Sequence, residues 1–356
     1  MKIATATSKF EAWLFARIEL VKQDLETKHE RMAESAFLFL RATFYRWAQL
    51  WPEVCPELAS APTALAVGDL HVENFGTWRD SEGRLAWGVN DFDEVWPVAY
   101  TNDLVRLAAS AILAIRESRL ALGREEAIEA ILEGYTKAVE VAGRPFVLAE
   151  QHPALHAMAV YRLKDPTPFW EKLNGLPPVK KSVVPAGAMK ALRRMMPDPD
   201  LPLRIAHRVA GMGSLGRQRF VALAGWNGGF VAREAKAAAP SACAWAYGGK
   251  ERVLYQKLLD SAIRCPDPFV KLKGSWIVRR LAPDCARIEL SALPAERDEM
   301  RLLRVMGWET ANVHLGSLKA ATLRRDLARK PAKWLSRAAA RMTEAVGEDW
   351  ERWRAR

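Results

Sequence analysis

Two short runs in the first third of the chain carry side chains that could bind a metal ion and act on a hydroxyl group. The run GDLHVENFG places Asn74 five residues after Asp69, and the run NDFDE adds Asp91 and Asp93. An aspartate can accept a substrate's hydroxyl proton, while carboxylate and amide oxygens hold the Mg²⁺ that accompanies a nucleoside triphosphate. We therefore predict Asp69 as the catalytic base. Asn74 and Asp91 would hold Mg²⁺, with Asp93 as a second ligand or a support.

Two neighbouring residues have more than one interpretation. His71 is a second catalytic candidate, because it could brace the loop or stand behind a metal ligand. The alternative is a partly buried histidine with satisfied hydrogen bonds. Asp103 could brace the loop of Asp69 or cap the apolar helix that begins near it. Its position at the start of a helical pattern favours the cap.

A glycine-rich run, GMGSLG, comes later and could contact phosphates through Gly211, Gly213, Ser214 and Gly216. The pattern G-x-G-x-x-G occurs in dinucleotide folds, where a helix follows, and in flexible loops between two strands that cover phosphates. Here β-patterned residues and an Asn-Gly turn signal follow the glycines, which favours a loop between strands. An ordinary structural hairpin is the third interpretation.

The strand after the glycine run should carry a cation for the phosphates, and the sequence VAREAK offers Arg233 and Lys236. Because their separation is odd, the two side chains lie on opposite faces of a strand, and only one can point into a cleft. Arginine would supply a planar, permanently charged fork, and lysine a compact ammonium group. A surface charge on an edge strand is the alternative for either residue.

Helical patterns dominate both ends of the chain. Apolar residues with helical spacing cover 8–50 and 102–141, the second with a break near 122–124. Helices are also predicted from Pro294 to the end. Residues 164–204 are rich in proline, with Lys180 and Lys181 beside Ser182, so we predict a linker or mobile loop there.

Strands are predicted where short apolar runs end at turn residues. The runs 64–67 and 85–89 each lead into one acidic run, and we expect them to pair as a hairpin whose connection contains 80–83. Two β-like runs flank the turn residues 226–229 and predict a second hairpin. Residues 276–281 are a further strand candidate.

Composition is typical of a globular protein with anionic partners. The net charge of +11 favours nucleotides, nucleic acids or acidic proteins. No apolar run is long enough to cross a bilayer, and the start of the chain has no sustained apolar core. We therefore expect a cytoplasmic protein with no membrane partner. Four scattered cysteines without a C-x-x-C pair predict reduced thiols.

The end of the chain is basic and rich in tryptophan. Between Ser317 and Arg356 there are eleven Lys and Arg residues against five Asp and Glu residues. A surface that binds nucleic acid is one interpretation. We favour a solvated helix face whose tryptophans pack inward, because no nucleic-acid motif accompanies the charge. The tryptophans concerned are Trp334, Trp350 and Trp353.

Taken together, these motifs resemble those of the bacterial proteins that are grouped as domain-of-unknown-function family 2252. The hallmarks of that family look like GDxHxxNFG, NDFDE, D-L-x-R-L-A-x-S, G-x-G-S-x-G and a K-E-A strand. This chain has corresponding residues at 68–76, 90–94, 103–110, 211–216 and 233–235. The resemblance spans roughly residues 30–320. The loop of Asp69 is also similar to the D-x-H-x-x-N loop of aminoglycoside and choline phosphotransferases, which implies a protein-kinase-like fold.

Two departures from these families affect the prediction. Arg233 stands where family 2252 has the lysine of its K-E-A strand, and Lys236 could replace that lysine only if the strand shifted its register. The loop of Asp69 also precedes the glycine run, which reverses the usual kinase order. A circularly permuted fold could still assemble the same site. Both departures leave open a nucleotide-binding pseudokinase or regulator.

The sequence therefore predicts an α+β, two-lobed, circularly permuted kinase-like fold. Residues 205–290 would form a small β-rich lobe, and 1–163 together with 291–356 a larger helical lobe. The predicted function is phosphoryl transfer from ATP, with Mg²⁺, to a hydroxyl of a small molecule or a protein. A metal-dependent phosphoester hydrolase that uses the same acids and His71 directly is a further alternative.

Overall fold

The computed structural model describes residues 1–161, 165–285 and 296–356. With about 51% helix and 16% strand in small sheets, the protein is of the mixed α+β class, as predicted. The predicted boundaries at 163/164 and 290/291 fall outside the described residues. No helix in these three stretches is long and apolar enough to cross a membrane.

The secondary structure elements are numbered in chain order. The helices are α1 (Ile3–Phe15), α2 (Lys22–Glu34), α3 (Ala36–Ala42), α4 (Phe44–Val54), α5 (Pro56–Ala59), α6 (Thr101–Arg116), α7 (Arg124–Glu140), α8 (Leu148–Gln151), α9 (Pro153–Tyr161), α10 (Thr167–Asn174), α11 (Ala186–Met195), α12 (Ala242–Tyr247), α13 (Tyr255–Ser261), α14 (Glu296–Leu315), α15 (Ala320–Leu327) and α16 (Trp334–Arg354). The strands are β1 (Thr63–Ala66), β2 (Phe75–Arg79), β3 (Leu85–Val89), β4 (Trp96–Ala99), β5 (Phe146–Val147), β6 (Arg204–His207), β7 (Arg219–Trp226), β8 (Gly229–Ala237), β9 (Lys271–Lys273) and β10 (Trp276–Leu281).

The helical part of the molecule is assembled from both ends of the chain. The apolar helix α6 is buried along most of its length and packs against α16. Helices α7 and α14 approach so closely that a side chain at Gly134 or Gly307 would overlap the backbone of the facing helix. Trp334 and Trp353 of α16 are buried in the same core, and Trp350 packs against it. These tryptophans therefore pack inward, as we favoured.

The strands beside the acidic runs pair differently from our prediction. β1 lies antiparallel to β4, whereas β3 lies antiparallel to β2 and also pairs with β5. The predicted hairpin of 64–67 with 85–89 is wrong, because the loop of Asp69 and the β2–β3 hairpin are inserted between β1 and its true partner. The turn residues 80–83 do form the connection of a hairpin, the one that joins β2 to β3.

The largest sheet has the antiparallel strand order β6-β7-β8-β10-β9. β7 and β8 form the predicted hairpin, in which Asn227 and Gly228 both have positive φ, as a two-residue type I′ turn requires. β10 coincides with the predicted strand 276–281. The glycine run lies between β6 and β7, so it connects two adjacent strands, as predicted.

The segment 165–204, for which the sequence indicated a linker or mobile loop, contains the helices α10 and α11. Two of its prolines lie at helix starts: Pro168 is in the first turn of α10, and Pro185 directly precedes α11. Proline is compatible with a first turn, so a Pro-rich composition does not prevent short helices. α11 packs Ala188 and Leu192 onto the five-stranded sheet.

Candidate functional site

The loop that carries Asp69 leaves β1 through a tight turn at Gly68. Gly68 has a φ of +80°, and a Cβ there would overlap the carbonyl of Glu94, so glycine is required. The carboxylate of Asp103 accepts hydrogen bonds from the N–H groups of Val67 (2.7 Å) and Gly68 (3.0 Å). Asp103 thus braces this loop. Our preference for a helix cap was wrong, because the N-cap of α6 is Tyr100, with no side-chain cap, and the carboxylate accepts backbone N–H groups of the loop.

Arg106, a buried arginine of α6, holds Asp69 from behind. Its Nε donates to Asp69 Oδ1 over 3.1 Å, and its Nη2 contacts the same oxygen. The guanidinium also lies over the rings of Phe44 and Trp47. Burial raises the pKa of the Asp69 carboxyl above its usual value, against the opposing charge of Arg106. The second oxygen, Oδ2, is left to face the glycine run.

Asn74 joins the two acidic runs through its side-chain amide. Its Nδ2 donates to the carbonyls of Asp69 (3.2 Å) and Asp91 (3.0 Å), and its Oδ1 accepts from the N–H of Asp91 (3.0 Å). Because an amide oxygen has two lone pairs, Oδ1 retains the capacity to bind a metal. His71 lines the same cleft, and its Nδ1 accepts the N–H of Glu73 at 3.2 Å, which stabilises the loop.

Lys236 reaches the second acidic run from β8. Its Nζ donates to both oxygens of Asp91 (3.2 and 3.0 Å) and to Oδ2 of Asp93 (2.5 Å). Arg217 adds a cation 3.4 Å from Asp93 and donates to Glu94 at 3.0 Å. Oδ1 of Asp93 is buried and has no hydrogen-bond partner among the described residues. Two carboxylates therefore surround one ammonium group, with one oxygen still unpaired.

The two carboxyls beside Lys236 differ in their affinity for a proton. Burial favours the neutral acid at both, but at Asp91 the charges of Lys236 and Arg279 outweigh it and hold the pKa well below its usual range. At Asp93, burial and the neighbouring charge of Asp91 raise the pKa. Because the two groups titrate together, Asp91 is the more permanent anion of the pair.

The oxygen ligands at this place suit a cation that is shared with another ligand. In the ranges that the structure describes, no three His, Cys, Asp or Glu side chains are placed to hold a metal ion. Mg²⁺ commonly takes one or two carboxylates and completes its octahedron with water and substrate phosphates. Asp91, the unpaired oxygen of Asp93 and Oδ1 of Asn74 fit such an incomplete set.

Arg233 lies on the other face of β8 from Lys236. Its Nε donates to the carbonyl of Met195 at 2.7 Å, and its guanidinium lies 4.9 Å from the ring centroid of Phe269. The odd spacing separates the two cations as predicted. Lys236 meets the acids without any shift of the strand register, and the structure does not bring Arg233 to the cleft.

The glycine run crosses over Asp69 and forms the opposite wall of the cleft. Gly211 and Gly216 have φ values of +78° and +95°, which turn the backbone at both ends of the run. A Cβ on Gly213 would come within 2.9 Å of Asp69 Oδ2, so a side chain there would displace the carboxylate or the loop. Residues 211–214 and both acidic runs line the same cleft. The motifs that the sequence analysis singled out separately therefore meet at one place.

A buried network behind the cleft positions Ser214. Arg219 donates through Nη2 to Ser214 Oγ and through Nη1 to Glu234 Oε1, both at 2.7 Å. Glu234 also accepts from Arg279 at 3.0 Å and pairs with Arg208. Although burial favours its neutral form, these three arginines hold the pKa of Glu234 well below the usual range. Alternation along β8, which puts Glu234 and Lys236 on one face, was the available sequence signal.

Several cations of the site, among them Arg106 and Lys28, were assigned no role in the sequence analysis. Arg106 lies inside the apolar pattern that predicts α6, where its charge interrupts a run of buried apolar residues. Lys28 lies on α2, outside every motif, yet its Nζ donates to the carbonyl of Gly213 at 3.3 Å. A possible signal was the spacing of Asp24, Lys28 and Met32, which recur every four residues and are all buried.

A comparison with known protein families confirms the resemblance to family 2252. A family described as uncharacterised proteins conserved in bacteria, DUF2252, matches residues 20–162 and 203–356. These ranges cover well over half of the chain and include both acidic runs, the glycine run and β8. The unmatched stretch between them contains α10 and α11. No curated protein and no solved structure matches the chain.

Proposed function

We propose that this chain, which belongs to the DUF2252 family of proteins conserved in bacteria, is an ATP- and Mg²⁺-dependent phosphotransferase that acts on a hydroxyl group. The position of Asp69 carries this proposal, because Arg106 fixes one carboxylate oxygen and the other faces Gly213 across the cleft. A base, a pair of acids for a cation and a glycine loop are the parts that phosphoryl transfer requires. The corresponding fold is two-lobed, kinase-like and circularly permuted, with β6 to β10 in the small lobe.

Asp69 would accept the proton of the attacking hydroxyl. The O–H bond breaks as the hydroxyl oxygen bonds to the γ-phosphorus of ATP, and the bond from that phosphorus to ADP breaks, so that ADP leaves with the electron pair. The raised pKa of Asp69 makes it a stronger base than a solvated aspartate, and Arg106 keeps it oriented. Proton transfer to a positioned base contributes about 10²- to 10⁴-fold to a rate.

The opposite wall would hold the phosphates through the N–H groups of the glycine run and through Lys236. Asn74, Asp91 and Asp93 would hold Mg²⁺, which neutralises charge on the phosphates. Since Gly213 lies directly against Asp69, the glycine run must lift to admit phosphates. Lys236 would then turn from the two carboxylates towards the phosphates, which would leave Asp91 and Asp93 available to hold Mg²⁺.

A thermal-shift screen of nucleotides, each with Mg²⁺, with Mn²⁺ and with EDTA, tests the ligand class before any acceptor is sought. A ligand at 100 times its Kd adds about 2.7 kcal/mol to the stability of the protein. We expect ATP and ADP to raise Tm only when a divalent metal is present. Release of ADP from ATP in the presence of mixed alcohols then tests transfer. No shift with any nucleotide would remove the proposal.

A nucleotide-binding regulator without turnover is a second candidate, and one contact favours it. Lys236 is bonded to both Asp91 and Asp93, while Arg233, at the position of the family's lysine, faces away. If the phosphates do not recruit Lys236, ATP would bind without being transferred. Saturating Mg²⁺-dependent binding together with no hydrolysis, no autophosphorylation and no alcohol-dependent ADP release would identify this case.

A further inference from the structure

A second cavity adjoins the cleft across the glycine run. Asp69, Glu94, Gly213 and Arg217 line both spaces, so the glycine run is the partition between them. Residues of α1, α2 and α4 form the rest of the wall, which is largely apolar and aromatic. Its apolar and aromatic residues include Phe10, Leu14, Leu25, Phe44 and Tyr45.

Lys28 places a positive charge in this cavity. Its side chain is buried, with 4% exposed, and its Nζ donates to the carbonyl of Gly213 at 3.3 Å. The same nitrogen lies 5.8 Å from the ring centroid of Tyr45. Throughout the described ranges, no carboxylate forms an ion pair with Lys28. An ammonium group buried in this way is costly unless a further partner binds it.

The acids that line the cavity act on Lys28 through their charges but form no ion pair with it, because each contacts another group: Glu11 contacts His29 (2.6 Å), Glu94 contacts Arg217 (3.0 Å) and Asp69 contacts Arg106. Burial lowers the pKa of Lys28 to about 8, so its amine is still mainly protonated at neutral pH. Among the described residues, the cavity therefore presents an ammonium group with no carboxylate paired to it, beside an aromatic wall and the oxygen of a candidate base.

We infer that this cavity is the acceptor site and that the acceptor is a small alcohol with an apolar body and one carboxylate. This inference rests on the proposed function. The hydroxyl would meet Oδ2 of Asp69, the apolar body would pack against Phe10, Leu14 and Phe44, and the carboxylate would pair with Lys28. A single ammonium group matches a single negative charge. A neutral alcohol would leave Lys28 unpaired, and an amine would be repelled.

The same arrangement explains how two ligands could meet at one base. When the glycine run lifts for the phosphates of ATP, the partition between the cleft and the cavity opens. Phosphates would then lie on the side of Asp91 and Lys236, and the alcohol on the side of Lys28, with Asp69 between them. The hydroxyl proton would pass to Asp69 while the hydroxyl oxygen bonds to phosphorus and ADP leaves.

Three alcohols of one skeleton test the charge preference: 4-(hydroxymethyl)benzoate, benzyl alcohol and 4-(aminomethyl)benzyl alcohol. Calorimetry measures their binding to the full chain, first alone and then with Mg²⁺ and a non-hydrolysable ATP analogue. We expect the carboxylate to bind at least about tenfold more tightly than the other two, as for a hydrogen bond to a charged group. Lys28→Met should abolish this preference, while Lys22→Met, which changes an exposed lysine of α2, should retain it.

The outcomes separate this inference from the proposed function. Equal binding of the three alcohols, binding of none, or a preference that persists in Lys28→Met overturns the acceptor site. The titration of the ATP analogue into the unaltered protein reports on the proposed function independently, because it is measured without any of the three alcohols. If Lys28→Met fails to fold, the comparison of the three alcohols on the unaltered protein still decides.

Discussion

The two groups of acids in the cleft are neutralised in different ways. Asp69 is backed by Arg106, a buried and always charged guanidinium that is itself stacked on two rings. Asp91 and Asp93 instead meet Lys236, whose single ammonium group enters on a flexible stem from the opposite wall. A fixed fork behind a carboxylate orients it and leaves one oxygen available, whereas an ammonium group in front can be exchanged for another cation. The first arrangement suits proton transfer, and the second suits exchange with a metal ion.

The largest effect is expected from Asp69→Asn. This variant keeps the shape of the side chain but removes the basic oxygen, so kcat should fall by about 10³-fold. Affinity for Mg²⁺ and ATP should change little, because the phosphates are held elsewhere. Steady-state ADP release and calorimetry measure the two quantities. If turnover persists in Asp69→Asn, the assigned base is wrong.

Asp91→Ala should act on binding and not on proton transfer. Asp91 is the more permanent anion of its pair, so its loss should reduce nucleotide affinity in Mg²⁺ to the level found in EDTA, a change of roughly 10- to 100-fold for a weakened metal site. Calorimetry with and without EDTA gives this result directly. Glu82→Ala, at an exposed position of the β2–β3 turn, is the control. If the nucleotide affinity of Asp91→Ala still depends on Mg²⁺, the metal ion is not bound by Asp91.

Arg106→Gln tests the role of the guanidinium group that contacts Asp69. The charge of Arg106 lowers the pKa of Asp69, so its removal should raise that pKa further. Because the base must be deprotonated, the rising limb of the pH–rate profile should move to higher pH, by about one unit for a loss of roughly 1.4 kcal/mol. Arg106→Lys keeps the charge and should leave the limb in place while kcat falls. If the rising limb of the pH–rate profile does not move in Arg106→Gln, the group that titrates in this limb is not Asp69.

Substituting the two cations of β8 should have different consequences. Lys236→Met removes the group that we expect to hold the phosphates, and nucleotide affinity should fall about tenfold, as for the loss of one charged hydrogen bond. Arg233→Met should leave that affinity unchanged, because its guanidinium faces Met195 and Phe269. An equal loss of nucleotide affinity in the two variants would contradict the conclusion that Lys236, and not Arg233, lies on the face of β8 that meets the cleft.

How much of this arrangement the sequence predicted depends on the range of the contacts involved. The β7–β8 hairpin follows from an Asn-Gly turn, and the two-helix pattern of 102–141 from local spacing, and both were predicted. The partner of β1 is separated from it by the loop of Asp69 and a whole hairpin, so local signals suggested the wrong pairing. The helices of 165–204 were missed because proline composition hid helix starts that proline allows.

The same limit applies to the site. Spacing indicated Asp69, Asn74, Asp91 and the glycines, because each motif is contiguous. It could not show that Arg106 supports Asp69, or that Lys28 reaches the carbonyl of Gly213, since such pairs form only when distant elements pack. Asp103 shows the same problem, because a cap and a brace differ only in the direction of one side chain.

The smallest effect concerns a buried acid outside the cleft. Glu309 of α14 accepts from the N–H of Val89 at 3.3 Å and from Asn312 at 3.0 Å, and burial raises its pKa to about 7. The folded protein therefore holds this proton more tightly than the unfolded chain, and the stability that it contributes at low pH is lost as the pH rises through about 7. From pH 5 to pH 8 the Tm of the unaltered protein should fall, and the Tm of Glu309→Gln should fall by roughly 2–4 °C less. Parallel losses would contradict the raised pKa.

The central claim is that the acidic runs and the glycine run bind one nucleotide between them. Calorimetric titration of Mg²⁺ with a non-hydrolysable ATP analogue into Gly213→Val tests it most directly, since this change substitutes none of the acids but fills the space beside Asp69. Gly229→Val, where a Cβ meets nothing within 4 Å, is the matched control. We predict one metal-dependent site per chain that is lost in Gly213→Val and kept in Gly229→Val. Unchanged binding in Gly213→Val would show that the nucleotide does not lie between these walls.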